Sequence, residues 1–298
     1  MTDTAKAALP DFSGQLTRLV ESVSQSLVEV RGRRGTLGSG FVWRPGLVVT
    51  AEEVLGEPVS LSVAIAGQNF EAELAGRDPS TGIAVLRAGG LASPALSLTP
   101  GHATKTGEIA LVTGRREQGV TARLGIVSLS GGAWRSMRGG HIDSLIRLDV
   151  TLDRRGEGAA VIDSEGRVFG MALRGPRRTV LAIPAATIER IAAHISENGS
   201  VRPGYLGLGL HPVRVKGADA DPGYGLIVLG VATGGPGEAA GILQGDIVTA
   251  WNGEALTGLR NLFRKLSPDS VGQTVELGLL RAGQPLPVKC VVGARPAA

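Results

Sequence analysis

Imidazole bases and thiol nucleophiles are few in this chain and lie far apart in sequence. There are four histidines, His102, His141, His194 and His211, one Ser130-Gly131-Gly132 run and a single cysteine, Cys290. Hydrolysis through a serine needs an imidazole hydrogen-bonded to the hydroxyl and an acid that holds that imidazole in one tautomer. Each of the four histidines reads instead as a surface or structurally satisfied imidazole. Cys290 sits in an alternating apolar run and reads as a strand residue, not a reactive thiol. Cationic chemistry is richer: Arg115-Arg116, Arg154-Arg155 and Arg177-Arg178 are doublets, with Arg174 close to the last. Guanidinium groups pair bidentately with carboxylates and phosphates, while loop arginines are also commonly just solvated, so both readings stand.

The elements that must position these residues are mostly short strands. The chain has 298 residues, enough for about two domains. Its 45 glycines and 3% aromatic content fit tight turns between short strands better than long helices. Phe12, Leu16, Val20 and Val23 recur at helical spacing and predict a lead-in helix over residues 12–24. Strands are expected at 27–30, 40–43, 47–50, 61–66 and 83–86. A second set is expected at 108–113, 120–128, 144–148, 159–162, 168–173 and 179–183. Two groups of about six strands suggest two small packed barrels. A helix over 185–196 closes this region, and the Gly- and Pro-containing stretch 198–204 is a linker. Beyond it, strands are expected at 205–210, 226–231, 247–251, 274–280 and 286–292, with helices at 237–240 and 259–266. Asn252-Gly253 marks a tight turn.

Several function classes are disfavoured. The net charge is only +4 and aromatics are scarce, so nucleic-acid binding is not expected. No apolar run reaches transmembrane length, and residues 1–10 lack the apolar core of a secretory signal. The chain as written is therefore expected in the cytoplasm, or outside it if an upstream signal was removed. No metal and no cofactor are expected.

Motifs in order along the chain carry a resemblance. Gly38-Ser39-Gly40-Phe41-Val42, Gly76-Arg77-Asp78-Pro79-Ser80-Thr81, Leu124-Gly125-Ile126-Val127-Ser128 and Ala182-Ile183-Pro184 resemble segments of the HtrA/Deg serine proteases. The resemblance spans Phe12 to about Val292 and implies a mainly β fold: a trypsin-like double β-barrel over 26–197, then a small α+β PDZ domain over 205–295. The lead-in helix, residues 1–25, resembles the segment through which such proteins trimerise, so a homo-oligomer is expected.

The same resemblance implies that the chemistry has gone. Where the family carries its histidine, Thr50-Ala51-Glu52-Glu53-Val54 places Glu53. The aspartate position holds Gly82. The nucleophile position, in Arg155-Gly156-Glu157-Gly158-Ala159, holds Glu157, and a glycine of the oxyanion turn is replaced by Arg155. Ser130 belongs to a different loop on this topology and does not replace the nucleophile. Glu53 and Glu157 are expected to project into one cleft. There they either share a proton or a cation, or are solvated or paired with Arg154 and Arg155; the second reading is preferred. The arginines at 115, 116, 154, 155, 174, 177 and 178 fall in loops that surround the family's active site and are candidates for an anion-binding rim.

In the C-terminal part, Tyr205-Leu206-Gly207-Leu208 resembles the loop with which a PDZ domain receives a peptide's terminal carboxylate. Ala239 to Val248 resembles another PDZ segment, with Gly241 capping a short helix. Leu259, Leu262, Phe263 and Leu266 share a helix face and are expected in the core, leaving Arg260 or Arg264 at the groove edge. The function expected is binding of polypeptides, C-terminal tails or unfolded segments, by a pseudoprotease acting as adaptor, chaperone-like factor or regulator. Acidic partners are a further expectation. An endopeptidase with an unrecognised catalytic arrangement and a purely structural oligomer are the alternatives.

Overall fold

A computed structural model describes residues 3–33, 35–56, 60–199, 202–216 and 222–296. Linker residues 200 and 201 lie outside them. The chain divides into two compact units, Met1–Trp134 with His141–Val201, and Arg202–Ala298 with Arg135–Gly140.

The first unit contains two closed six-stranded antiparallel barrels. The first barrel is built from β1 (Leu27–Gly32), β2 (Gly35–Arg44), β3 (Leu47–Ala51), β4 (Leu61–Ile65), β5 (Gln68–Asp78) and β6 (Ile83–Ala88), in the order β1-β2-β3-β6-β5-β4. β5 is a strand that apolar alternation does not reveal. Its sequence is largely polar, and its pairing with β4 and β6 supplies the order that its side chains do not. The second barrel comprises β7 (Ile109–Arg116), β8 (Gly119–Gly131), β9 (Leu145–Leu148), β10 (Ala160–Ile162), β11 (Val168–Arg174) and β12 (Val180–Pro184). Its order is β9-β12-β11-β10-β7-β8, and β8 pairs back to β9 to close it.

Closure removes every free edge and turns alternate side chains inward. Phe41, Val49, Val63 and Leu86 are fully buried in the first barrel, as are Val112, Val127 and Val161 in the second. Two helices flank this unit. α1 (Asp3–Ser24) is longer than expected and packs Leu16, Leu19 and Val23 on the core, leaving Leu9 and Phe12 exposed. α2 (Glu52–Leu55) is a single turn, and α3 (Ala185–Asn198) buries Ile188, Ile191, Ala192 and Ile195 at i, i+3, i+4 and i+7 spacing. Trp43 Nε1 donates to Glu189 on α3 at 3.0 Å, tying the helix to β2.

The second unit carries a sheet in the order β13 (Leu208–Lys216), β14 (Pro222–Val231), β15 (Ile247–Trp251), β16 (Thr274–Arg281) and β17 (Gln284–Val291). Glu254–Ala255 folds back on β15 through a turn at Asn252 and Gly253, both with left-handed φ of 49° and 77°. Cys290 is a buried strand residue on β17, and burial raises its thiol pKa. The helices are α4 (Pro236–Ala239), followed by Gly241 at φ 74°, and α5 (Leu259–Lys265). On α5, Leu262 is fully buried and Leu259 partly so, and Leu266 just beyond the helix is buried, but Phe263 is 49% exposed. The expectation that all four share the core fails at Phe263, because the helix is short and its buried stripe narrow.

Buried Asp246 holds this unit together by accepting from Arg281 Nε and Nη2, both at 2.8 Å, and from Leu243 N at 2.9 Å. The Arg281 guanidinium, aided by the Leu243 N–H, holds the Asp246 carboxyl below the usual carboxylate value of about 3.9. A depressed folded pKa stabilises the native state above the unfolded value, and that contribution is lost as pH falls through the folded one. Acid unfolding followed by circular dichroism should therefore show a loss of stability below about pH 4 that is shallower in Asp246→Asn. Equal acid slopes for the two proteins would contradict this.

Candidate functional site

The three positions that the resemblance singles out, Glu53, Gly82 and Glu157, are carried by three short turns of the first unit. α2 leaves the end of β3, and its first N–H, from Glu52, donates to Gly82 O at 2.9 Å. Positions 53 and 82 are thereby held on neighbouring backbones. The Gly82 turn is shaped by Asp78, which is 1% exposed. Its carboxylate accepts from Ser80 N at 2.9 Å, Ser80 Oγ at 2.6 Å and Thr81 Oγ1 at 2.8 Å. Gly82 has φ 76°, and a Cβ built on it would lie 2.7 Å from Leu173 Cδ1. A side chain at position 82 would therefore require the tip of Leu173 on β11 to move.

At the expected nucleophile position, Glu157, the side chain and the backbone N–H are both already engaged. Arg154–Gly156 forms one 3-10 turn in which Gly156 N donates to Asp153 O at 3.0 Å and Glu157 N to Arg154 O at 3.2 Å. An oxyanion hole of the trypsin type uses the N–H of the nucleophile residue as one of its donors. Here that N–H is spent inside the turn. Arg155 keeps the helical backbone of this turn, and its carbonyl accepts from Ser39 Oγ at 3.4 Å. Glu157 is only 2% exposed and its carboxylate accepts from Arg174 Nε in a short ion pair. This overturns the expectation that Glu157 is solvated or paired with Arg154 and Arg155. The partner lies 17 positions later, because β11 runs beside the Glu157 turn, with Gly158 N donating to Ala172 O at 2.9 Å.

Glu53 and Glu157 line the same open cleft of about 660 Å³, together with Val150, Thr151, Leu152, Arg154, Arg174, Gly175 and Arg178. Three of the seven rim arginines, Arg154, Arg174 and Arg178, thus reach it. Arg115 does not: its Nε donates to Leu27 O and its Nη2 to Ser24 O, each at 2.7 Å. Burial lowers the Arg115 pKa. Arg116 pairs with Asp153 through Nη2, at 2.5 and 2.7 Å. Both line a separate cavity beside Glu29, Arg31 and Glu117. Arg155 and Arg177 are exposed and do not line the cleft. A guanidinium that finds carbonyls within reach satisfies its donors locally, and doublet spacing cannot foretell that.

The remaining nucleophile and base candidates have other partners. Ser130 Oγ donates to Thr104 O at 2.8 Å at the end of β8. Among the described residues no imidazole is hydrogen-bonded to a hydroxyl. The cluster of His102, Glu108 and Asp163 lies away from the cleft, and there Arg167 already holds Asp163 at 2.6 Å.

The second unit presents a different arrangement. Among the described residues β13 pairs only with β14, so one edge of the sheet is open there. Before it, Tyr205 pairs with Gly293, Leu206 O accepts from Gly237 N at 2.7 Å, and Gly207 O accepts from Ala232 N at 2.8 Å. Across a trans peptide the next N–H points the opposite way, so the Gly207 and Leu208 N–H groups face away from those partners. Gly207 adopts φ 71°, and a Cβ there would meet Gly235 Cα at 3.3 Å.

Comparison with known proteins agrees with this division. Residues 38–171 match the trypsin-like peptidase domain family and residues 204–292 the PDZ domain family. The chain is 28% identical over 289 residues to a probable periplasmic serine endoprotease DegP-like of Rhizobium meliloti (strain 1021), covering 89% of this chain and 57% of the relative. It is 30% identical over 274 residues to the DegP-like protein of Brucella suis biovar 1 (strain 1330), covering 87% and 53%. Against the periplasmic pH-dependent serine endoprotease DegQ of Escherichia coli (strain K12) the identity is 28% over 270 residues, covering 85% and 58%. The chain thus spans little more than half the length of these relatives. In fold it is similar to the serine endoprotease from Yersinia pestis, with TM-score 0.70, 24% identity, and 94% and 98% of the two chains covered. It is likewise similar to the HtrA-type protease AlgW with a decapeptide, with TM-score 0.68, 23% identity, and 94% and 99% covered.

Proposed function

We propose that this chain is an HtrA/Deg-type protein, a trypsin-like peptidase domain followed by a C-terminal PDZ domain, and that it binds polypeptides without cleaving them. The observation that carries this reading is Glu157: a carboxylate at the nucleophile position, buried and held by Arg174, with its N–H turned into the 3-10 turn. The Leu173 tip beside Gly82, which a side chain there would have to displace, supports it further. Loss of a single triad member costs on the order of 10⁴–10⁶ in turnover, and here none of the three is present.

Binding falls to the PDZ domain. The open edge of β13 suits an added peptide strand, and the outward N–H groups after Leu206 and Gly207 suit a terminal carboxylate. Exposed Phe263 on α5 offers apolar surface that a core residue would not. The protein acts as an adaptor, chaperone-like factor or regulator, assembled as a homo-oligomer through α1, whose Leu9 and Phe12 are 75% and 40% exposed. Its compartment follows the periplasmic location given for the relatives.

The names of the relatives favour a second reading, an active serine endopeptidase. One preparation separates the two. A fluorophosphonate probe should leave the protein unlabelled, and casein should stay intact. A peptide library with free C-termini should bind, and Gly207→Ala should weaken that binding about tenfold, since a Cβ there strains a left-handed position and reshapes the loop. Covalent labelling, or binding indifferent to the free carboxylate, would refute the proposal.

A further inference from the structure

The former catalytic cleft has an uneven charge that its own side chains do not cancel. Its lining holds three guanidiniums, Arg154, Arg174 and Arg178, against two carboxylates, Glu53 and Glu157. Glu157 engages only the Nε of Arg174, and that side chain remains 47% exposed. Arg178 has no carboxylate partner among the described residues. Nor has Arg154, whose Nη2 makes one long contact of 3.5 Å to the Glu53 carbonyl. Surface arginines this close to carboxylates usually pair with them, as Arg116, Arg167 and Arg281 do here.

The backbone adds a second, independent observation. Arg177 and Arg178 are consecutive non-glycine residues with left-handed φ of 54° and 63°. Such conformations cost on the order of 1 kcal/mol or more each and persist only where surrounding structure holds them. The turn is held by Gly175 N donating to Thr179 O at 2.7 Å and by Thr179 Oγ1 donating to Pro176 O at 2.8 Å. Its effect is to bring Arg178 to the cleft wall beside Gly175, whereas Arg177 stays outside.

We propose that this cleft is a carboxylate-receiving site for acidic segments of polypeptides, with Arg154, Arg174 and Arg178 as its cations and Glu157 as the positioning residue for Arg174. This deepens the polypeptide-binding reading above and rests on it. Planar guanidinium forks in the lining of one pocket match an Asp or Glu side chain bidentately. Val150 and Leu152 give the adjoining wall apolar surface for the rest of the segment. The carboxylate at the old nucleophile position thus has work of its own: buried and fixed, it orients a cation that a serine would leave loose.

The test uses the full chain and fluorescein-labelled peptides whose C-termini are amidated, so that the PDZ loop is not engaged. A glutamate-rich peptide should bind at least tenfold tighter than its glutamine counterpart, and the difference should shrink with added salt. Arg154→Ser with Arg178→Asn should abolish the preference; asparagine tolerates the left-handed backbone at 178. Binding of a peptide with a free C-terminus serves as the folding check on that variant. For Glu157, a positioning role predicts that Glu157→Gln binds the acidic peptide at least as well as the parent and Glu157→Ala binds it worse. If Glu157 merely repels anions, both variants bind more tightly, which overturns its assigned role. Equal affinity for the two amidated peptides, a preference untouched by the arginine substitutions, or a phosphoserine peptide bound tenfold better than the glutamate one overturns the carboxylate site. If free C-termini still bind in that case, only this inference fails; if they do not, the polypeptide-binding reading fails with it.

Discussion

Rebuilding the triad by combining Glu53→His, Gly82→Asp and Glu157→Ser is expected to yield no measurable peptide hydrolysis. Restoring side chains does not restore the space and donors they need. At position 82 the new carboxylate meets Leu173 Cδ1 at its Cβ, 2.7 Å away, on a backbone with φ 76°. Displacement of the Leu173 tip and left-handed strain together make Gly82→Asp alone destabilising by about 1–2 kcal/mol. At position 157 the serine N–H is still consumed by Arg154 O, so the developing oxyanion lacks a donor worth about 10²–10³ in rate. A fluorogenic peptide assay checks the triple variant, and urea unfolding checks the single one. Turnover blocked by a serine-directed inhibitor would mean that the turn reopens on substrate binding and would sink this account.

Gly158→Ala is expected to cost more than about 4 kcal/mol and to leave little soluble native protein. Gly158 has φ 85°, and an added Cβ would sit 2.1 Å from Ser39 O, 2.8 Å from Thr50 Oγ1 and 3.0 Å from Ala51 N. These are backbone and buried atoms of β2 and β3, with no flexible tip to yield. The same turn is anchored by Ser39 N donating to Glu157 O at 2.9 Å. This close approach therefore couples the two barrels and gives a physical reason for the cleft to keep its shape. Gly132→Ala, where a Cβ meets nothing within 4 Å and φ is not left-handed, should change stability by less than about 0.5 kcal/mol. Soluble yield and urea midpoints measure both. A Gly158→Ala protein as stable as the parent would refute the coupling.

Much of the fold could be read from the chain. Eleven of the twelve barrel strands lie where apolar runs between turn residues placed them, and α3 and α5 follow helical spacing. β5 was missed because Gln68–Asp78 alternates weakly and is ordered by its neighbours on both sides. Phe263 was assigned to the core because periodicity reports which residues share a face, not how much of that face is covered.

The candidate site divides along the same line. Motif order along the chain was enough to indicate the two-part architecture, and the resemblance it carries singled out Glu53, Gly82 and Glu157 as the positions to inspect, since motif spacing survives when side chains change. Tertiary structure alone decided that Glu157 is bound to Arg174, that the tip of Leu173 lies beside Gly82, and that Arg115 turns onto Leu27 and Ser24 while Arg178 reaches the cleft. Each of these depends on the pairing of strands distant in the chain and on the direction a side chain takes from its strand. A guanidinium with a reach of several ångströms chooses its partner from whatever that packing brings near.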